Sequence, residues 1–133
     1  AVLMPIVASM GGIAGTQSLT ILIRAMAMGQ INHRNELWLI GRESLVALLN
    51  GLLWAAVIAT TTSLWFGDWM LGVIIACAML INLLTAGVTG AGLPIVLRKL
   101  QIDPALAGGV LVTTVTDVVG FLAFLGLATA FYA

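Results

Sequence analysis

The chain has 133 residues, of which 62% are hydrophobic and only 8% charged, with a formal net charge of +0 and a mean hydropathy of +1.18. A water-soluble domain carries about 25% charged residues to cover its outside, so intrinsic disorder, nucleic-acid binding and a secreted disulfide scaffold are excluded, and Cys77 alone makes neither an internal disulfide nor a thiolate metal cluster. What remains is an integral membrane protein whose solvent is largely lipid.

The charged residues cut the chain into four apolar runs, 1–23, 44–67, 69–97 and 104–133. Each reaches the roughly 20 residues needed to cross about 30 Å of hydrocarbon. Period-two alternation is absent, so the expected fold is all-α: a polytopic bundle with spans at about 1–28, 43–66, 69–97 and 104–132.

The first run lacks a basic n-region and has a polar centre, so it is not a signal peptide. Ser9, Gly11, Gly12, Gly15, Thr16, Gln17, Ser18 and Thr20 form its polar cluster. At about 100° per residue, Gly11, Gly15 and Ser18 share a face. Two readings stand: close helix packing through small residues, or a broken or water-lined helix. Gln17 favours the second, because an amide in hydrocarbon needs a partner or water.

The second span starts at Asn35 or at Ser44. Glu43 opens it, either lining a mouth of the path or pairing with Arg42 or Arg24. His33 sits in a loop beside Arg34 and reads as solvated. The third span opens at Asp68, a preferred N-cap residue, and contains Asn82, Gly87, Gly90 and Pro94. Pro94 implies a kink packed through Gly87 and Gly90. Asp103-Pro104 is a good start for the fourth span, with Pro at the first helical position.

Arg24, Arg34, Arg42, Arg98 and Lys99 all fall at the first and third connections. Basic loops stay cytoplasmic, so loops 29–42 and 98–103 are expected inside and both ends of this stretch outside. Trp65, Trp69, Phe131 and Tyr132 then form an outer aromatic belt. That orientation implies an odd number of spans before Ala1.

The fourth span carries Thr113, Thr114, Thr116, Asp117 and Gly120. Thr113, Thr114 and Gly120 flank Asp117 on the wheel, whereas Thr116 points about 100° away. Asp117 lies near the bilayer midplane, where an Asp costs about 2.5–3.5 kcal/mol. No Lys, Arg or His in these spans lies at its depth. It is therefore protonated, faces water, or meets a cation, and an ionisable group at that depth marks an ion or proton path.

These residues resemble the MgtE family of magnesium channels. The run Met4-Pro5-Ile6-Val7-Ala8-Ser9-Met10-Gly11-Gly12, continuing to Gly15-Thr16-Gln17-Ser18, is similar to its second transmembrane helix. Arg42-Glu43 resembles the start of the third, and Asn82, Pro94 and Asp103-Pro104-Ala105 the fourth and the loop after it. Thr113-Thr114-Val115-Thr116-Asp117-Val118-Val119-Gly120 resembles the fifth. The match covers essentially the whole chain. It departs at Ile13, where the family often has Asn within GGNAG.

The resemblance implies a homodimer of five-helix protomers in the inner or plasma membrane, one helix preceding this stretch, and an ion path between the protomers. It implies that Asp117 holds a largely hydrated Mg²⁺, with Thr113, Thr114, Gly120, Gly11, Gly12, Gly15 and Gln17 around it and Asn82 and Glu43 as secondary candidates. Cytosolic regulatory domains common in the family are absent from this stretch. Mg²⁺ suits such a site because it is hard and sheds water reluctantly. The other expectation for the same carboxylate is a proton-coupled small-solute transporter with Asp117 as proton carrier. An aspartic protease is disfavoured, because no GxGD element surrounds Asp117.

Overall fold

The computed structural model describes residues 3–29 and 36–132. His33, Arg34 and Asn35 lie outside them. Four helices follow one another: α1 Met4–Ala27, α2 Glu36–Phe66, α3 Trp69–Lys99 and α4 Pro104–Tyr132. Each is long and apolar enough to cross a membrane, as the four apolar runs predict, and the described residues contain no strand. In hydrocarbon a helix is the one open-ended structure that satisfies its own backbone.

The helix ends follow local chemistry. Pro5 sits in the first turn of α1, where its missing N–H costs nothing. The helix stops at Gly29, whose φ of 70° is left-handed. The Asp68 side chain caps α3 by accepting from the Met70 N–H at 3.0 Å. At the far end of α3 the Ile102 N–H donates to the Leu97 carbonyl at 2.9 Å and the Gln101 N–H to Arg98 at 3.0 Å. That is the paired closure of a helix C-terminus around a left-handed residue, here Gln101 rather than glycine.

Two boundaries differ from or refine the sequence expectation. Helix α2 begins at Glu36, next in sequence to Asn35, the earlier of the two expected starts, and seven residues before the charge-marked span boundary at 43. Polarity marks where a chain leaves lipid, not where its backbone stops being helical. Helix α3 continues through Pro94 to Lys99 with Pro94 fully buried.

The bundle runs up and down around α3, which packs on each of the other three helices, while α1 also packs on α4. Half of the most apolar stretch of α3 is buried, against 22% for those of α2 and α4. Register is fixed by small residues. A Cβ on Gly87 would fall 2.5 Å from the Ala47 Cβ, one on Gly51 3.1 Å from the Leu80 side chain, and one on Gly72 2.1 Å from the Ser63 Oγ. The α2 numbers fall as the α3 numbers rise, so these helices are antiparallel. Gly11 meets Asn82 and Gly90 meets the Gly15 carbonyl and Ser18, so the α1 and α3 numbers rise together and these helices are parallel. Such close approach supplies helix association where lipid offers no hydrophobic driving force. The main core gathers Val7, Ile74, Met79, Leu83 and Phe124. Leu45, Leu49, Leu52 and Leu53 of α2 and Val110, Val118 and Leu122 of α4 stay exposed, facing outward as lipid requires.

Trp65, Trp69, Phe131 and Tyr132 are all exposed. Tyr132 donates a hydrogen bond to the Asp68 carboxylate, which ties the end of α4 to the α2–α3 turn. That donation, with the Met70 and Leu71 N–H groups, holds the Asp68 carboxyl below its ordinary value. A depressed folded pKa gives stability that is present above the unfolded value and lost as pH falls through the folded one. Tyr132→Phe is therefore expected to raise the Asp68 pKa and weaken the acid dependence of stability. Thermal unfolding on either side of the carboxylate range checks this, and an unchanged pH dependence would contradict it.

Candidate functional site

Helix α1 has two working faces. Val7, Gly11, Gly15, Ser18 and Leu22 recur at helical spacing and are all buried. Pro5, Ala8, Ser9, Gly12, Ile13, Thr16 and Gln17 recur at the same spacing and line an open groove of about 680 Å³. Its opposite wall is one stripe of α4, Thr113, Asp117 and Phe121, each one turn beyond the last. The helix between Met4 and Ala27 is continuous through its glycines. Close packing describes Gly11, Gly15 and Ser18, and the helix is not broken, while its other polar face, Ser9, Gly12, Thr16 and Gln17, lies open on the groove.

Asp117 is half-buried in the groove wall. Among the described residues nothing pairs with or donates to its carboxylate, and no cluster of three or more His, Cys, Asp or Glu could hold a metal. The chain thus offers one carboxylate here, facing open space.

The hydroxyls around it are set as acceptors. Thr113 Oγ1 donates to the Gly109 carbonyl at 2.8 Å, and Thr16 Oγ1 to the Gly12 carbonyl at 2.8 Å. Each back-bond uses the only hydroxyl proton and leaves the oxygen lone pairs free. A hydrated cation turns water protons outward, so it needs acceptors around it. A carboxylate and proton-spent hydroxyls provide them.

The expected site residues separate. Asp117, Thr113, Gly12 and Gln17 come together in the groove. Thr114 is exposed but off the groove, its hydroxyl bonded to the Val110 carbonyl at 2.7 Å. Gly11, Gly15 and Gly120 are buried inside the bundle rather than on the groove wall. A Cβ on Gly15 would lie 2.4 Å from Val112 Cγ1, and one on Gly11 or Gly120 would lie 2.1 or 2.9 Å from Asn82 Nδ2. They are glycines because another helix fills the space a side chain would take. Asn82 is fully buried behind the groove.

Glu43 is 8% exposed, and its partner is Ser18, whose hydroxyl donates to Oε2 at 3.0 Å. The expected pairing with Arg42 or Arg24 does not occur. Glu43 faces α1, whereas Arg42, about 100° round the helix, is exposed with its guanidinium 5.6 Å from the Trp38 ring centre. Arg24 is likewise exposed. Gln17 borders both the groove and a cavity of about 60 Å³ beside Glu43. Phe121, Pro5 and Ala8 are wall residues that sequence reasoning missed. The step from Asp117 to Phe121 is one helical turn and was a usable signal.

Residues 4–127 match a family model described as MgtE, divalent cation transporter. The chain belongs to the MgtE family. It is 37% identical over 128 residues to a Bacillus subtilis protein named magnesium transporter MgtE, covering 96% of this chain and 28% of that protein. Proteins of the same name from Enterococcus faecalis and Thermus thermophilus are 33% and 34% identical, covering 98% and 93% of this chain and 29% and 27% of theirs. The chain therefore spans less than a third of the length of these MgtE relatives. Ile13, which stands where the resemblance noted in the sequence leads one to expect Asn, is 57% exposed on the groove wall.

Proposed function

We propose that this chain forms the membrane part of a magnesium transporter, in which two copies face each other across the α1–α4 groove. Asp117 from each protomer then holds one largely hydrated Mg²⁺. The observation that carries the reading is the lone Asp117 carboxylate in an open groove, among hydroxyl oxygens whose protons are already used. The names of the MgtE relatives support the choice of ion.

The electrostatics favour a pair. One carboxylate leaves a divalent ion with an uncompensated positive charge. A two-fold axis through the groove brings a second, and two carboxylates balance Mg²⁺ where low dielectric makes attraction strong. Thr113, Thr16 and Gln17 hydrogen-bond the outer waters, so the ion keeps most of its shell and binds weakly enough to leave. Donors for softer metals do not line the groove. The chain sits in an inner or plasma membrane with the basic loops cytoplasmic.

The test is Mg²⁺ uptake into proteoliposomes holding the purified protein. Uptake above protein-free vesicles is expected. Vesicles no fuller than the controls would overturn the proposal, and a flux that follows a proton gradient while ignoring Mg²⁺ would favour Asp117 as a proton carrier instead.

A further inference from the structure

We infer that Asn82 is a positioning residue, which sets the spacing of α1 and α4 from behind the groove and with it the discrimination among divalent cations. This rests on the ion-path reading above. Asn82 sits midway along α3 and touches both walls from the rear. Its Nδ2 donates to the Val7 carbonyl of α1 at 2.8 Å, in a fully buried setting. Gly11 of α1 and Gly120 of α4 flank the same nitrogen so closely that a Cβ on either would collide with it. The neighbours of these contacts form the groove: Ala8 follows Val7, Gly12 follows Gly11, and Asp117 stands three residues before Gly120. The amide is a wedge between the two walls.

Its hydrogen bonding is not what stability alone would choose. The Val7 carbonyl already accepts from its own helix, so it does not need the amide. Asn82 Oδ1 is buried and has no donor among the described residues. An unsatisfied buried acceptor is a cost that an apolar side chain of the same branching would remove. What leucine could not supply is direction. The N–H to Val7 fixes α1 along the axis of α3, while van der Waals contact lets the helices slide. Reversing the amide would not help, because Oδ1 would then face the Val7 carbonyl oxygen.

The experiment compares native protein, Asn82→Leu and Asn82→Ala in proteoliposomes, reading inserted protein, melting temperature and the ratio of Mg²⁺ to Ca²⁺ flux. The ratio is the deciding readout, because loss of folded protein lowers both fluxes together. Asn82→Leu is expected to melt at or above the native temperature and yet lose selectivity by about fivefold or more. Asn82→Ala, which fits even if leucine crowds the glycines, is expected to lose selectivity as well. A native ratio in both variants would overturn the positioning role while leaving the ion path standing. Native protein that carries no Mg²⁺ would instead overturn the ion path, and this inference with it.

Discussion

Asp117→Asn is expected to lower Mg²⁺ uptake by at least about tenfold, equivalent to about 1.4 kcal/mol or more. The substitution keeps the shape of the side chain and the helical backbone. It removes one negative charge per protomer, hence two per proposed site, and leaves nothing to balance a divalent ion in low dielectric. It also makes the helix easier to insert, since an ionisable group at this depth is costly. Loss of uptake with native amounts of inserted protein therefore reports on the ion and not on folding. Thr114→Ala is the matched control: the same helix, one turn away, but off the groove. Its uptake is expected to stay near native. Full uptake by a folded Asp117→Asn protein would contradict the proposed site.

The second large effect is expected at Gly90. A Cβ there would lie 2.6 Å from the Gly15 carbonyl oxygen and 2.8 Å from the Ser18 Cβ. The first of these is backbone and cannot rotate away, so Gly90→Ala must push α1 and α3 apart. Overpacking of this kind costs about 1–3 kcal/mol. The damage spreads, because Ser18 at this crossing also supplies the hydrogen bond to buried Glu43, and α1 carries one wall of the groove. Gly92→Ala is the contrast. Its new Cβ would stand 3.9 Å from Ile40 Cδ1, an ordinary contact. In an open helical position alanine outperforms glycine by up to about 1 kcal/mol. The same chemical change two residues apart should thus lower the melting temperature in one case and hold or raise it in the other. Equal behaviour of the two variants would contradict the packing described at Gly90.

The fold was largely legible because lipid simplifies the code. Ten charges among 133 residues divide the chain into stretches that hydrocarbon forces into helices. Asp68 and Asp103-Pro104 mark the starts of α3 and α4 by local chemistry alone. The start of α2 stays open in the sequence between Asn35 and Ser44, because Arg42 and Glu43 interrupt an apolar stretch that reaches back through Leu37, Trp38, Leu39 and Ile40.

The site was legible in outline. Depth and charge single out Asp117, and helical spacing places Thr113 beside it. Spacing assigns angles on one helix, however, and says nothing about what stands opposite. Gly11 and Gly12 are adjacent, yet one receives Asn82 and the other opens on the groove. Asn82 bonds Val7 across 75 residues, and Ser18 bonds Glu43 across 25. Such pairings are decided by how helices cross, which no local pattern encodes. That is also why Glu43 looked ready to pair with a neighbouring arginine and instead turns inward.

In the proposed transporter two copies of Asp117 share one ion. The most direct measurement is an anomalous-scattering structure of the protein in lipid with Mn²⁺, a hard octahedral substitute for Mg²⁺. One metal peak is expected on the two-fold axis of a dimer, between the two Asp117 carboxylates, with water between ion and protein. A dimer whose α1–α4 grooves face lipid, or a metal peak away from Asp117, would contradict it.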